Sequence, residues 1–179
     1  LYSLKIVLDV ISLLNTKKIY IDFTIAGYVE IKLKNYLIEY AKDLKIDKQI
    51  IFLGEYSQND APSIYQKNDF FIYMNHNSPC PNSVIEALSC GLPVIYSNSG
   101  GLPELVGDAG IPLEVKNDFE IPQIPNLNDF YEGILKIREN YNKYAEKSRL
   151  RAVNKFDLKN WYKKHEEIFE KLIKNKYGK

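Results

Sequence analysis

The feature that most restricts the fold is an alternation of two periodicities. Short, mostly apolar runs, closed by glycine or a polar turn, take turns with segments whose apolar residues recur every three to four positions. The runs are I-Y-I-D-F-T-I-A-G (19–27), I-I-F-L-G (50–54), F-F-I-Y-M (70–74), P-V-I-Y-S (93–97) and I-P-L-E-V (111–115). The first helical segment spans 3–15, with Leu4, Val7, Leu8, Ile11 and Leu14 on one face, and the second spans 30–44, with Leu33, Tyr36, Leu37, Tyr40, Ala41 and Leu44. Shorter helices are expected at 60–68, with Asp60 as N-cap and Pro62 in the first turn, at 83–89 closed by Gly91, and at 103–106. Strands apolar on both faces need cover on both faces, which an α/β parallel sheet between two helix layers supplies. Ligands of such sheets bind at the carboxyl ends of the strands. Gly27, Gly54, residues 75–83 and residues 97–102 fall there.

After this alternation, K-N-D-F-E-I-P-Q-I-P-N (116–126) reads as a linker or surface excursion, and 127–177 as helix in three segments broken near Asn140 and Asp157. The 179 residues fit one domain, or one with an appendage. A net charge of +1 argues against a nucleic-acid binder. The charge is unevenly placed. Residues 141–179 hold 12 Lys and Arg against 5 Asp and Glu, a net +7, leaving 12 against 18, a net −6, for residues 1–140. A basic tail fits contact with anionic lipid or an acidic partner, and equally a set of solvated helix faces. Cys80 and Cys90 make neither a disulfide framework nor a metal site. With no apolar run of membrane-spanning length and no signal peptide, the expectation is a cytoplasmic protein. The first residue, Leu1, leads directly into a helical pattern, as expected of a piece of a longer protein.

The chemistry concentrates in N-S-P-C-P-N-S-V-I-E-A-L-S-C-G-L-P-V-I (77–95). Pro79 and Pro81 stiffen the approach to a helix whose N-terminus presents unpaired N–H groups and a positive dipole end, a ready anion site. The N–H groups of Asn82, Ser83 and Val84 can meet a phosphate there. Glu86, one turn in, can accept two hydrogen bonds from a vicinal diol such as a ribose, and phosphate plus ribose is a nucleotide. The same residues admit a plainer reading. Asn82 or Ser83 caps the helix, and Glu86 completes a capping box with Ser83, since S-x-x-E fits that motif.

The run P-N-S-V-I-E-A-L-S-C-G-L-P-V-I-Y-S-N-S-G-G-L-P-E-L-V, with I-A-G-Y (25–28) and I-I-F-L-G upstream, resembles the donor-binding half of GT-B glycosyltransferases of family 4, the glycosyl transferases group 1. The resemblance covers roughly residues 1–115. It implies a Rossmann-like nucleotide-sugar-binding domain over 1–115, lacking its first strand, followed by a linker and C-terminal helices (116–179) packed on or extending from it. It implies that Glu86 holds the ribose hydroxyls of a nucleotide-diphosphate sugar, and that Asn82, Ser83 and Val84 meet the diphosphate or the sugar. Glu55 and Tyr56 would flank the base, Gly27 and Tyr28 would border the same crevice, and Gly100 and Gly101 would keep that side of the cleft open. The implied reaction is glycosyl transfer with retention to a glycan or lipid-linked acceptor, without a metal or other cofactor. The acceptor would be bound by a missing N-terminal domain, so this part alone would be inactive. Peripheral contact with the inner face of the membrane fits a lipid-linked acceptor, with Trp161, Tyr162 and the last basic helix as the contact.

Two departures stand out. The family's first acidic residue, used near the transferred sugar, should stand at position 78, where this chain has Ser78 and offers only a hydroxyl; His76 and Asn77 are near enough in sequence to replace it, so Ser78 and His76 are the catalytic candidates. The family's phosphate-neutralising Arg and Lys should lie just before residue 1. Lys5 is the nearest cation and is expected on the solvent side of its helix. A sugar-nucleotide epimerase of the same fold and a non-catalytic nucleotide-binding or scaffold domain are the competing readings, the latter favoured by Ser78.

Overall fold

The computed structural model describes residues 2–116, 118 and 120–177. Leu1, and with it the question of what precedes it, lies outside the described residues, as do positions 117 and 119 of the expected linker and the last two residues. The first helix, α1 (Tyr2–Thr16), buries Ile6, Val7, Leu8, Val10, Ile11 and Leu14. A helix apolar on nearly every face must be covered on nearly every face. α1 packs on α6 (Leu127–Glu139) and shares one core with Phe130, Ile134 and Ile137 of that helix and with strand residues Ile25, Ile95, Ile111 and Leu113.

The strands are parallel, as the alternation predicts, but they do not form one continuous sheet. β1 (Phe23–Ala26) pairs with β2 (Ile50–Gly54), while β3 (Phe71–Tyr73), β4 (Val94–Ser97) and β5 (Gly110–Leu113) form a second sheet in the order β3-β4-β5. A ladder bond joins only strands about 4.8 Å apart. Between β1 and β3 the two halves are joined by side chains of the common core instead. Pairing also shortens the first strand from the expected 19–27: Phe23 opposes Ile50, the first residue of β2, so residues 19–22 have no ladder partner.

α2 (Ile31–Asp43) buries only Leu37 and Ala41. It is tied to α1 by the Tyr40 hydroxyl, which donates to Asp9, and by Lys5, whose ammonium lies 4.7 Å from the centre of the Tyr40 ring. Lys5 thus faces an aromatic ring. Asp60 precedes α3 (Ala61–Gln66) without capping it, because its carboxylate accepts from the Ser57 hydroxyl at 2.6 Å. α4 (Asn82–Ser89) and α5 (Leu102–Val106) follow β3 and β4. α7 (Tyr141–Lys155) packs on α4. Its Arg151 donates to the Leu105 carbonyl at the end of α5. α8 (Leu158–Tyr177) is exposed along its length, Trp161, Phe169 and Leu172 included. The breaks between these last helices fall at Asn140 and at Phe156–Asp157, where the pattern puts them. No helix among the described residues is long and apolar enough to cross a membrane.

Candidate functional site

Pro81, extended at φ −73° and ψ 120°, delivers the chain into α4, and no side chain caps the helix. The Asn82 and Ser83 N–H groups therefore lead it, in the position where helix amides have no intrahelical acceptor. Val84 differs from expectation. Its N–H donates to the Pro81 carbonyl at 3.1 Å and its side chain is fully buried, so the tight first turn consumes the third expected donor.

The capping box does not form either. Glu86 turns toward α3, where its Oε2 accepts from the Tyr65 hydroxyl at 2.9 Å. Tyr65 is held by burial among Ala61, Ala87 and Leu92, with Phe71 edge-on to its ring at 5.7 Å. Burial, and then the hydrogen bond to Glu86, push this phenol far above its usual range, so it remains a proton donor. Thus the helix α3 and the carboxylate on α4 are joined by one hydrogen bond.

The loop leading to α4 is pinned from below by the turn after β4. The Asn77 N–H donates to the Ser99 hydroxyl at 3.0 Å, the Ser97 hydroxyl donates to the Asn75 carbonyl at 3.1 Å, and the Gly101 N–H donates to the Ser78 carbonyl at 3.0 Å. This contact leaves no room for side chains. A Cβ on Gly100 would stand 2.5 Å from the Ser78 carbonyl oxygen, and one on Gly101 would stand 1.8 Å from that of Pro79. Gly100 and Gly101 were expected to keep the cleft open; their space is instead filled by the 77–79 backbone, and they let that loop approach.

Ser78 and His76, the two residues proposed to stand near the transferred sugar, are both engaged. The Ser78 hydroxyl shares a 2.9 Å hydrogen bond with that of Tyr73. The His76 Nε2 is 2.7 Å from the Asp118 carbonyl, which also accepts from the Asn77 side chain at 2.8 Å. His76 Nδ1 and Asn77 Oδ1 are buried with no hydrogen-bond partner among the described residues. The 116–126 segment therefore reaches back over the site through Asp118. Its own turn is closed by the Ile121 and Glu120 N–H groups, which hold the Asp118 carboxyl below its usual range.

A crevice of about 340 Å³ lies at the carboxyl ends of β1 and β2, lined by Gly27, Tyr28, Lys34, Phe52, Gly54 and Glu55. Gly27 and Gly54 have φ of +106° and +79°, and nothing stands within 4 Å of where their Cβ would be. Backbone conformation selects glycine here, and the space beside it is open. Tyr28 and Glu55 are exposed on its rim, and Tyr56, which follows, is exposed but does not line it. Lys34, in the first turn of α2, places its ammonium 5.1 Å from the centre of the Phe52 ring. A second cavity, about 290 Å³, is lined by Ile19, Ile21, Asp69 and Phe70, just before β1 and β3. That end of a parallel sheet does not ordinarily take ligands. No cluster of His, Cys, Asp or Glu among the described residues could hold a metal ion.

Lys34, Tyr65, Tyr73 and Asp118 were not singled out in the sequence. Tyr65 had a weak signal, a polar-tipped ring one turn after Ala61 on the buried face of its helix. Asp118 had none, because its contact is made by a backbone carbonyl 42 residues from His76.

The sequence profile of the glycosyl transferases group 1 matches residues 2–151. A probable sucrose-phosphate synthase of Thermosipho melanesiensis is 29% identical over 140 residues, 75% of this chain and 30% of that protein. The UDP-Gal:alpha-D-GlcNAc-diphosphoundecaprenol alpha-1,3-galactosyltransferase of Escherichia coli is 25% identical over 158 residues, 86% of this chain and 38% of that protein. Among solved structures, Anabaena HepE in complex with UDP-glucose superposes with a TM-score of 0.72 at 19% identity, over 93% of this chain and 44% of that one. The chain thus spans well under half the length of the proteins it matches.

Proposed function

Since the chain belongs to the glycosyl transferases group 1, we propose that it forms the donor-binding half of a GT-B glycosyltransferase that uses a nucleotide-diphosphate sugar. The observation that carries this reading is Glu86. It stands on the first turns of an uncapped helix, is not spent on that helix, and is held by a neighbouring phenol. A carboxylate so presented accepts two hydrogen bonds from a ribose diol. The Asn82 and Ser83 N–H groups meet the diphosphate with the positive end of the α4 dipole behind them. The base lies in the crevice bordered by Gly27, Tyr28 and Glu55, where Lys34 adds positive charge.

In this reading the bond from the anomeric carbon to the diphosphate oxygen breaks, and the negative charge that develops on the leaving diphosphate is stabilised by preorganised N–H groups and no metal. The acceptor hydroxyl attacks from the same face, giving retention, and its proton passes to the leaving phosphate oxygen. The acceptor, a glycan or a lipid-linked sugar, is bound by another domain. The relative that acts on a diphosphoundecaprenol-linked sugar supports the lipid-linked case and contact with the inner face of the membrane.

Titration calorimetry with UDP, GDP and ADP tests the reading. One nucleotide is expected to bind, and Glu86→Ala is expected to weaken it at least tenfold, the order of losing hydrogen bonds to a charged group. Unchanged affinity in Glu86→Ala would remove the donor site. A second reading, nucleotide binding without transfer, draws on Ser78, whose hydroxyl is taken by Tyr73 where the family carries a carboxylate. Nucleotide binding by the full-length chain without slow hydrolysis of any nucleotide sugar would favour it.

A further inference from the structure

The donor-site reading needs Glu86 to hold one orientation, and nothing on α4 itself supplies that. The carboxylate caps no N–H of its helix. A glutamate side chain left to itself samples several rotamers, and ordering it at the moment of binding costs affinity. The constraint comes from a different element. The Tyr65 hydroxyl, on α3, donates to Oε2 of Glu86 at 2.9 Å. The Tyr65 ring is 7% exposed and cannot swing away, because Phe71, Ala87 and Leu92 pack around it. One donor on Oε2 leaves the lone pairs of Oε1, and the remaining one of Oε2, to accept from a ligand.

Resting on the donor-site reading, we propose that Tyr65 is a positioning residue, whose hydroxyl holds the Glu86 carboxylate in the orientation that receives the ribose diol. Tyr65 touches no nucleotide. It acts through Glu86, and so it acts only on ligands that carry the diol.

The test titrates the wild type, Tyr65→Phe, Glu86→Ala and the double variant, each as the full-length protein. The ligands are UDP and 2′,3′-dideoxy-UDP, or the GDP or ADP pair if the calorimetry selects that base. Tyr65→Phe keeps the ring and its packing and removes one oxygen. It is expected to weaken the ribonucleotide about five- to twentyfold, to leave the dideoxynucleotide within about twofold, and to have no further effect in the Glu86→Ala background. Wild-type preference for the ribonucleotide in Tyr65→Phe would overturn the proposal. So would an equal loss for both nucleotides, which assigns Tyr65 to the fold alone. If Glu86→Ala itself binds like the wild type, the donor-site reading falls first, a result separate from either of these.

Discussion

On the β3–β4 side of the site, Gly100 and Gly101 have backbone where a Cβ would stand; on the β1–β2 side, Gly27 and Gly54 have nothing within 4 Å. Both pairs lie at or beyond the carboxyl ends of strands, yet they serve different ends. The first pair lets two loops close on each other, with the Asn77 and Gly101 amides and the Ser97 hydroxyl joining them. The second pair turns the chain at positive φ beside an open crevice. One side of the site is a packed wall that fixes the approach to α4, and the other is an open crevice. Tyr65 sits at the joint of α3 and α4, its hydroxyl donating to Glu86.

This contrast predicts unequal costs for similar substitutions. Gly101→Ala is expected to have the largest effect, a loss of about 3 kcal/mol or more in urea denaturation, because the obstacle at 1.8 Å is backbone and cannot rotate aside. Gly27→Ala meets no atom and is strained only by its φ of +106°, so about 1–2 kcal/mol is expected. Equal losses in the two variants would break the distinction between packed wall and open rim. The joint itself is read by alkaline pH. Tyr65 is pushed far above the ordinary phenol value of 10.0, mainly by burial and then by Glu86, and Tyr40 is pushed up to about 12 by burial and then by Asp9. A phenol whose proton is held more tightly in the folded state contributes stability that is present below pH 10 and lost as pH rises through the folded value. The melting temperature should therefore fall from about pH 10 upward, and the fall should be shallower in Tyr65→Phe and in Tyr40→Phe. A flat profile to pH 12 would show that neither phenol is held.

Much of this was legible before any coordinates. The apolar runs and helical segments placed the five strands and eight α-helices of the described residues, though not the two 3-10 turns at Asp47–Gln49 and Gly107–Ala109, because burial on two faces or on one stripe leaves its mark on consecutive residues. The candidate residues Glu86, Asn82 and Ser83 could be singled out because they share one short segment. Val84 as a donor and the Ser83–Glu86 capping box were misread. Both depend on which partner an N–H or carboxylate finds first: the Val84 N–H finds the Pro81 carbonyl as acceptor, and the Glu86 carboxylate finds the Tyr65 hydroxyl as donor. Gly100 and Gly101 were recognised as special, but their occupant, the 77–79 backbone, comes from a loop more than twenty residues away.

By itself, then, the sequence determined the alternation of strands and helices, the parallel α/β class, and a helix after Pro81 with a carboxylate one turn in. Those follow from local periodicity, from proline's missing N–H and from the spacing of two or three residues. The division of the strands into two ladders, the closure of the 77–79 loop on Gly100 and Gly101, and the pairing of Tyr65 with Glu86 were decided only in the tertiary structure. Each rests on a contact between segments distant in the chain, where distances of a few ångströms choose between a hydrogen bond, a clash and open space.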